Sequence, residues 1–428
     1  MLNKDQEKVM EAFQDFLFND SEDEFLIDAP AGYGKSYLVK YLSSTTFDEY
    51  VRGIEAVGAT PEYKEVYLTA TTNKAADSLT VATGIRATTI QSLLGLTVSA
   101  DYKTGETKLS PTKKTRIVSN SIIFIDECSM LDSESYKYIR ELTHKCKLVY
   151  IGDKYQLCPV KSGLSPVYKK GLVEHTLTIP MRNKNHTELV NLCNQLKKTV
   201  ETGEFKDIKL SPGVIDFCDN TQMAKEYDLF VNDPDKVRQL TYTNKRAILY
   251  NNYIKNIRGE TEVFNEGEYM ISNQVCMLGN RTVHVEDEIY IEKIYARHIK
   301  AKVFNVETSI PILFTDALIR HKGDSIRVKI PESQDQMKAI IKYFAKQKDW
   351  INYFAAKEGF LDIRPRDAGT IHKSQGSTLD TVFIDLADLS TCNIPSTVAR
   401  LLYVAVSRAT NRVVFHGELK DKYGKLIS

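Results

Sequence analysis

Ala29-Pro-Ala-Gly-Tyr-Gly-Lys-Ser36 is the stretch on which the reading of this 428-residue chain turns. It follows the spacing of a phosphate-binding loop (glycine, four residues, glycine, lysine, hydroxyl residue), with Ala29 in place of the first glycine. The apolar run 25–29 precedes it and a helical pattern, 37–42, follows, which is the strand–loop–helix context the motif requires. There Gly32 and Gly34 let the backbone wrap closely. The N–H groups from Ala31 through Tyr33 to Ser36, with a helix N-terminus behind them, then point at triphosphate oxygens. Lys35 is expected against the β- and γ-phosphates, and the Ser36 hydroxyl on Mg2+. An alanine at 29 needs only an ordinary negative φ, which a strand end supplies.

Further along, Ile122-Ile-Phe-Ile-Asp126-Glu127 is a short apolar run ending in two carboxylates, the signature of a buried parallel strand delivering charge at its C-terminal edge. Asp126 is expected to hold Mg2+ through its water shell. Glu127 would orient and deprotonate the water that attacks the γ-phosphate of ATP. Taken alone, such a pair is more often a solvated strand end or a helix cap; after a phosphate loop it is the second half of a nucleotide site. Leu148-Val-Tyr-Ile-Gly152-Asp153 reads as another strand, and Gln156 behind it brings an amide to the γ-phosphate position. The alternative is that Asp153 and Gln156 only cap a loop.

The second half carries Asp367-Ala-Gly-Thr370-Ile-His372-Lys-Ser-Gln375-Gly376 and Leu402-Tyr-Val-Ala-Val-Ser-Arg408, each beside apolar runs such as 381–386 and 412–415. These predict a second α/β core. An arginine from it would neutralise charge developing on the γ-phosphate, with Arg408 the first candidate and Arg182 the second. Arg182 also reads as a surface arginine near a domain junction.

The ordered set resembles the superfamily 1 helicases, and its spacing is most similar to the Dda helicases of tailed phages and the RecD-like 5′-to-3′ branch. In that resemblance Gln6 is the glutamine that reads adenine, 32–36 is motif I, 69–79 motif Ia, and 89–94 motif Ib. Asp126 and Glu127 form motif II, 152–156 motif III, Arg182 belongs to motif IV, 370–376 (with Gly376 at the nucleotide) to motif V, and 403–408 to motif VI. The resemblance implies two RecA-like P-loop cores: core 1A over 1–96 and 118–190, and core 2A over 191–257 and 362–428. It also implies a hairpin insertion 1B (97–117) acting as a strand-separating pin, and an SH3-like β-barrel with a helical tower, 2B, over 258–361. Thr72, Asn73, Gln91, Thr370 and His372 become the DNA-contacting residues, since hydroxyls and amides grip phosphates without reading bases. His372 reads equally as a core histidine. Tyr102 or Leu109 would be the wedge of the pin. Residues 333–359 show Met337, Ile340, Ile341, Phe344, Trp350, Ile351 and Phe354 at helical spacing, a packed helical pair.

Composition narrows the rest. Lys and Arg number 57 against 56 Asp and Glu, a net charge of +1, so any nucleic-acid track must be local. The seven cysteines form neither CxxC pairs nor a disulfide-like framework, and the eight histidines are dispersed, which leaves structural zinc little support. With no bilayer-length apolar stretch and no signal-peptide core, the expectation is a soluble cytoplasmic protein without membrane contact, in the host cytoplasm if phage-encoded. The expected activity is an ATP-dependent, Mg2+-requiring helicase on single-stranded and forked duplex DNA, with a single-strand-binding protein or other replication proteins as candidate partners. Two alternatives stay open: a DNA-stimulated ATPase that clamps a strand or displaces proteins without unwinding, and an RNA helicase.

Overall fold

In the strand Ser121–Asp126 every residue is buried, and successive side chains serve opposite faces. Ile122 and Phe124 join one apolar cluster, Ile123 and Ile125 another. Lys147–Gly152 repeats this, with Val149 and Ile151 on the first face and Leu148 and Tyr150 on the second. Two apolar faces with a period of two are what a parallel strand between helical layers needs.

The computed structural model describes residues 2–100, 107–158, 163–181, 186–279, 281–300 and 312–427. Side by side, the first sheet runs Glu174–Thr176, Glu24–Asp28, Lys147–Gly152, Ser121–Asp126, Glu65–Ala70, Ala87–Thr89, parallel throughout. Register pairs Asp28 with Gly152 and Ala70 with Asp126. Ala29, Asp153, Glu127 and Thr71 therefore leave the sheet along one edge, the edge at which α/β proteins bind ligands. The helix Lys4–Phe18 covers one face: the Phe13 ring centroid lies 5.9 Å from Phe25 and 5.8 Å from Phe124.

Chain packing draws two compact units, 1–219 with 374–428, and 220–373. This grouping cuts across the expected four-part division, since 191–257 and 362–428 fall on both sides of it. The larger unit also holds the parallel strands Ile215–Cys218, Ala409–His416 and Leu379–Asp385 and the helices Thr187–Thr202 and Pro395–Val406. In the smaller unit Val237–Thr241 pairs in parallel with Ala368–Thr370. A five-stranded antiparallel sheet follows in the order Asp324–Pro331, Leu313–His321, Glu288–Lys300, Tyr269–Ser272, Ile363–Pro365. Its core is Met270, Ile289, Ile291, Ile319 and Ile330.

Two expectations change. The excursion at 97–117 contains an antiparallel hairpin, Leu96–Ala100 against Thr107–Pro111. Leu109 on it is no wedge, because it is buried in the cluster of Leu93 and Leu94; Tyr102 lies outside the described residues. In the helices Gln334–Lys346 and Trp350–Glu358, Met337, Ile340, Phe344 and Ala356 form the buried contact. Ile351 is 85% exposed and Trp350 38%, because the second helix turns Tyr353 and Ala356, three residues apart, toward its partner instead.

Gly152 ends its strand so close to the segment after motif II that an added Cβ would stand 2.7 Å from Cys128 Sγ and 2.8 Å from the Tyr168 hydroxyl. The Cys128 side is fully buried and has little room to yield. Gly152→Ala is expected to lower unfolding free energy by about 1–3 kcal/mol, read from the urea midpoint at unchanged m-value.

Candidate active site

The loop after Asp28 is held from both sides before it turns. Ala29 N–H donates to the Gly152 carbonyl at 2.7 Å, and Ala31 N–H to Asp153 Oδ2 at 3.2 Å. Gly32 and Gly34 take φ of +87° and +83°, which an L side chain adopts only with strain. A Cβ at Gly34 would also stand 2.7 Å from Gln6 Nε2. Ala29 is absent from the positive-φ residues, so the departure at the first glycine position costs no backbone strain. The helix Lys35–Tyr41 starts directly at Gly34.

This loop forms one wall of a cavity of about 360 Å³. Gly32, Gly34, Lys35 and Ser36 line it from the loop, Asp126 and Glu127 from the neighbouring strand end, and Gln156 from the segment after Gly152. Gly376, Ser377 and Arg408 come from the C-terminal part of the same unit. Phosphate-loop backbone, two carboxylates, an amide and a guanidinium thus converge on one space.

Lys35 Nζ lies 2.8 Å from Asp126 Oδ1 and 3.0 Å from Glu127 Oε1. Burial opposes the ammonium charge, but the two carboxylates outweigh it and hold Lys35 above its usual range. For Glu127 burial pushes the other way too, yet Lys35, aided by Arg408, wins and keeps the carboxyl below its usual range. In Asp126 burial prevails, reinforced by the charge of Glu127, and the carboxyl is raised. The lowered member is the one assigned to take a proton from water, so it is ionised at neutral pH. Glu127 also has left-handed backbone, φ +55° and ψ +41°. Residues strained in this way cluster at functional sites.

Arg408 is 2% exposed. Its guanidinium is held by the carbonyls of Val404 (3.1 Å) and Ser377 (3.3 Å) and by the Ser407 hydroxyl (2.9 Å). Burial lowers its pKa against the pull of Glu127. Two further contacts reach lining residues: Lys74 Nζ lies 3.2 Å from Ser377 Oγ, and Gln375 Nε2 donates to Gln156 Oε1 at 3.4 Å.

Other predicted residues sit differently. Tyr33 N–H, expected at triphosphate oxygens, donates to the Pro30 carbonyl at 3.2 Å; its hydroxyl accepts from Lys197 at 3.0 Å, and the Lys197 ammonium lies 4.3 Å from its ring centroid. The cause is the turn itself, which points Tyr33 at the helix Thr187–Thr202. Gln6 is fully buried, and both ends of its amide are engaged: Oε1 accepts from Asn3 N–H (3.0 Å) as part of a helix cap, and Nε2 donates to the Gly34 carbonyl (3.2 Å). Gln6 does not line the cavity. Arg182 lies outside the described residues.

Thr72 is exposed and caps the helix Asn73–Thr83, accepting from Ala75 N–H at 3.2 Å; Asn73 opens that helix and Gln91 lies on Ile90–Leu94. In the smaller unit Thr370 is buried in its strand opposite Thr241, while His372 is exposed with its ring 6.2 Å from that of Tyr242. Exposure removes the reading of His372 as a core residue. Sequence reasoning missed Tyr37, Met181 and Ser377, all of which line the cavity. Tyr37 and Met181 are 47% and 39% exposed and flank the phosphate loop, where an apolar surface suits a nucleobase. Their only signal was proximity to quoted motifs.

Comparison with known proteins gives the same picture. Residues 1–209 match the AAA domain family, and 367–415 the UvrD-like helicase C-terminal domain. The ATP-dependent DNA helicase dda of Enterobacteria phage T4 is 23% identical over 91% of this chain and 93% of its own. The uncharacterized protein R530 of Acanthamoeba polyphaga mimivirus is 21% identical over 97% and 99%. Together these matches support a Dda-like superfamily 1 helicase. Among solved structures, the Pif1 helicase from Bacteroides in complex with ADP-AlF3 and ssDNA aligns with a TM-score of 0.54 at 14% identity, covering 100% of this chain and 95% of that one. That likeness places the two parallel-sheet regions as RecA-like cores. The P-loop family uses nucleotide, and this cavity is where the chain's P-loop lies.

Asp28, at the edge beneath the loop, shows how costly charge is here. Burial and the neighbouring charge of Asp153 push its carboxyl up to about 6, against a partial offset from Lys154. Between the unfolded value near 4 and about 6 the folded state holds the extra proton, so stability falls as pH rises through that window. Asp28→Asn is expected to remove roughly 2 kcal/mol of that decline, measured as the difference between wild-type and variant urea stabilities at pH 4.5 and 7.5.

Proposed function

We propose that this chain is an ATP-dependent DNA helicase that translocates 5′ to 3′ along single-stranded DNA and opens forked duplexes. The observation that carries the chemistry is the single cavity in which Lys35, Glu127, Gln156 and Arg408 converge. The 5′-to-3′ direction rests on similarity to the Dda and Pif1 helicases.

Lys35 is already the counter-ion of two carboxylates, and a triphosphate entering the loop offers it a stronger anion. Its transfer to the β- and γ-phosphates frees Glu127 to accept a hydrogen bond from water and then its proton. Gln156 fixes the γ-phosphate end, and Arg408 neutralises charge that grows there in the transition state. The hard oxygen donors Ser36 and Asp126 line the same cavity and fit Mg2+, which would screen the phosphate charge when bound.

Because Arg408 and Gly376 approach the cavity from segments beyond residue 373, nucleotide state is felt by the part of the chain that also carries motif V. In the larger unit Thr72, Asn73 and Gln91 supply hydroxyl and amide groups that suit phosphate oxygens, and in the smaller unit the exposed His372 supplies an imidazole. Such a grip is sequence-blind and weakens with salt. A single-strand-binding protein at the fork is the natural companion of an enzyme that exposes single strands.

Glu127→Gln is expected to bind ATP as wild type while losing turnover by about 10²–10⁴-fold; retained hydrolysis would remove the base assignment. In single-turnover unwinding with ATP and Mg2+, a duplex with a 5′ tail should open and one with a 3′ tail should not. Opening of neither, with DNA-stimulated ATPase intact, would make the chain a clamp or protein-displacing translocase.

A further inference from the structure

Asp153 is the least exposed acidic group of the segment that carries Gln156, at 1% exposure. Its Oδ2 accepts three hydrogen bonds from three parts of the chain: the Tyr403 hydroxyl at 2.6 Å, Ala31 N–H at 3.2 Å and Gln156 Nε2 at 3.3 Å. Its Oδ1 accepts from Tyr155 N–H at 3.0 Å. One turn earlier on the helix of Tyr403, Pro395–Val406, Arg400 Nη1 donates to the carbonyls of Lys154 and Gln156, both at 2.5 Å. Residues three apart share a helix face, so Arg400 and Tyr403 grip the same loop from one side. Among the described residues Arg400 pairs with no carboxylate; its charge is spent on two backbone carbonyls.

The same helix ends two residues before Arg408, and Arg408 Nε bonds back to its Val404 carbonyl. We infer that Arg400 and Tyr403 are positioning residues that yoke the segment of Gln156 to the helix that leads to Arg408, so that the γ-phosphate amide is set in line with the transition-state arginine. The inference rests on the proposed nucleotide chemistry and adds the device that aligns it. Neither side chain lines the cavity, so neither touches nucleotide. Their effect passes through the 153–156 segment. A guanidinium bound to carbonyls and a phenol bound to a buried carboxylate are strong, directional contacts, suited to fixing a loop to within a fraction of an ångström.

The test is a double-mutant cycle on DNA-stimulated ATPase. Tyr403→Phe, which keeps the packing, and Arg400→Lys, which keeps the charge, are each made in wild type and in Gln156→Ala. Folding is checked by urea midpoint, and nucleotide affinity by titration with a fluorescent ATP analogue. In wild type each variant is expected to lower kcat about 10-fold with affinity changed less than about 2-fold. In Gln156→Ala neither should lower kcat further, because the group they position is gone. Losses that multiply in the Gln156→Ala background, or that appear only as weakened nucleotide binding, would overturn the yoke while leaving the role of Gln156 intact. An unimpaired Gln156→Ala would instead take away that role, and the yoke with it.

Discussion

Three neighbouring parallel strands end in, or one residue before, an acid and crowd negative charge along one edge, and the larger unit is organised around that repulsion. Asp28, Asp126 and Asp153 are each 5% exposed or less, with Glu127 beside them. In so dry a setting unpaired carboxylates are costly, and each must be matched or protonated. Asp126 and Glu127 share one ammonium, that of Lys35. Asp153 is satisfied by a phenol, an amide and two backbone N–H groups. Asp28 is matched least well: Lys154 Nζ stands 3.6 Å away, and Oδ2 has no hydrogen bond. Its raised pKa is the residue of that shortfall. The edge is therefore tuned for a polyanion with its own cations, since binding one redistributes positive charge that is already in place.

The smaller unit solves a similar problem with arginine. Arg258 makes a two-pronged pair with Asp367 at 2.6 and 2.9 Å, and two further donations to the Phe230 carbonyl at 2.6 and 3.1 Å. One side chain thus fastens the end of the helix Asn244–Ile257 to the approach of the strand Ala368–Thr370 and to the segment before Val237–Thr241. Lys255, one turn earlier, is buried against Glu268 at 3.2 Å and the Val263 carbonyl at 2.8 Å. The planar guanidinium of Arg258 holds geometry as well as charge.

Motifs with fixed spacing were legible in the sequence because their geometry is local. The phosphate loop needs two glycines, a lysine and a following helix, and all are neighbours in the chain. The strands that deliver Asp126 and Asp153 were legible because burial on both faces leaves unbroken apolar runs. What escaped was direction. Tyr33 sits among cavity residues in sequence, yet the loop turns its ring toward Lys197. Leu109 and Ile351 are both apolar, and only tertiary packing decides that the first is core and the second faces solvent. The roles of Arg400 and Tyr403 were hidden for a further reason. On a helix whose run from Leu401 to Val406 is wholly buried, a tyrosine reads as packing, and nothing local shows that its hydroxyl meets a carboxylate 250 residues away. Gln6 was legible as a residue, but its double engagement with Asn3 and Gly34 depends on a cap that only the folded helix forms.

The left-handed backbone at Glu127 bears on how this molecule can change. A glycine there would relieve about 1–2 kcal/mol of conformational strain, so the chain is less stable at this position than its fold permits. Selection for thermal robustness alone would drift away from glutamate, and selection for turnover would hold it. The carboxylate proposed as the base thus marks a point where stability and activity pull the sequence in opposite directions. Stabilised versions of this protein are best sought by leaving that residue untouched and improving the packing beneath the sheet.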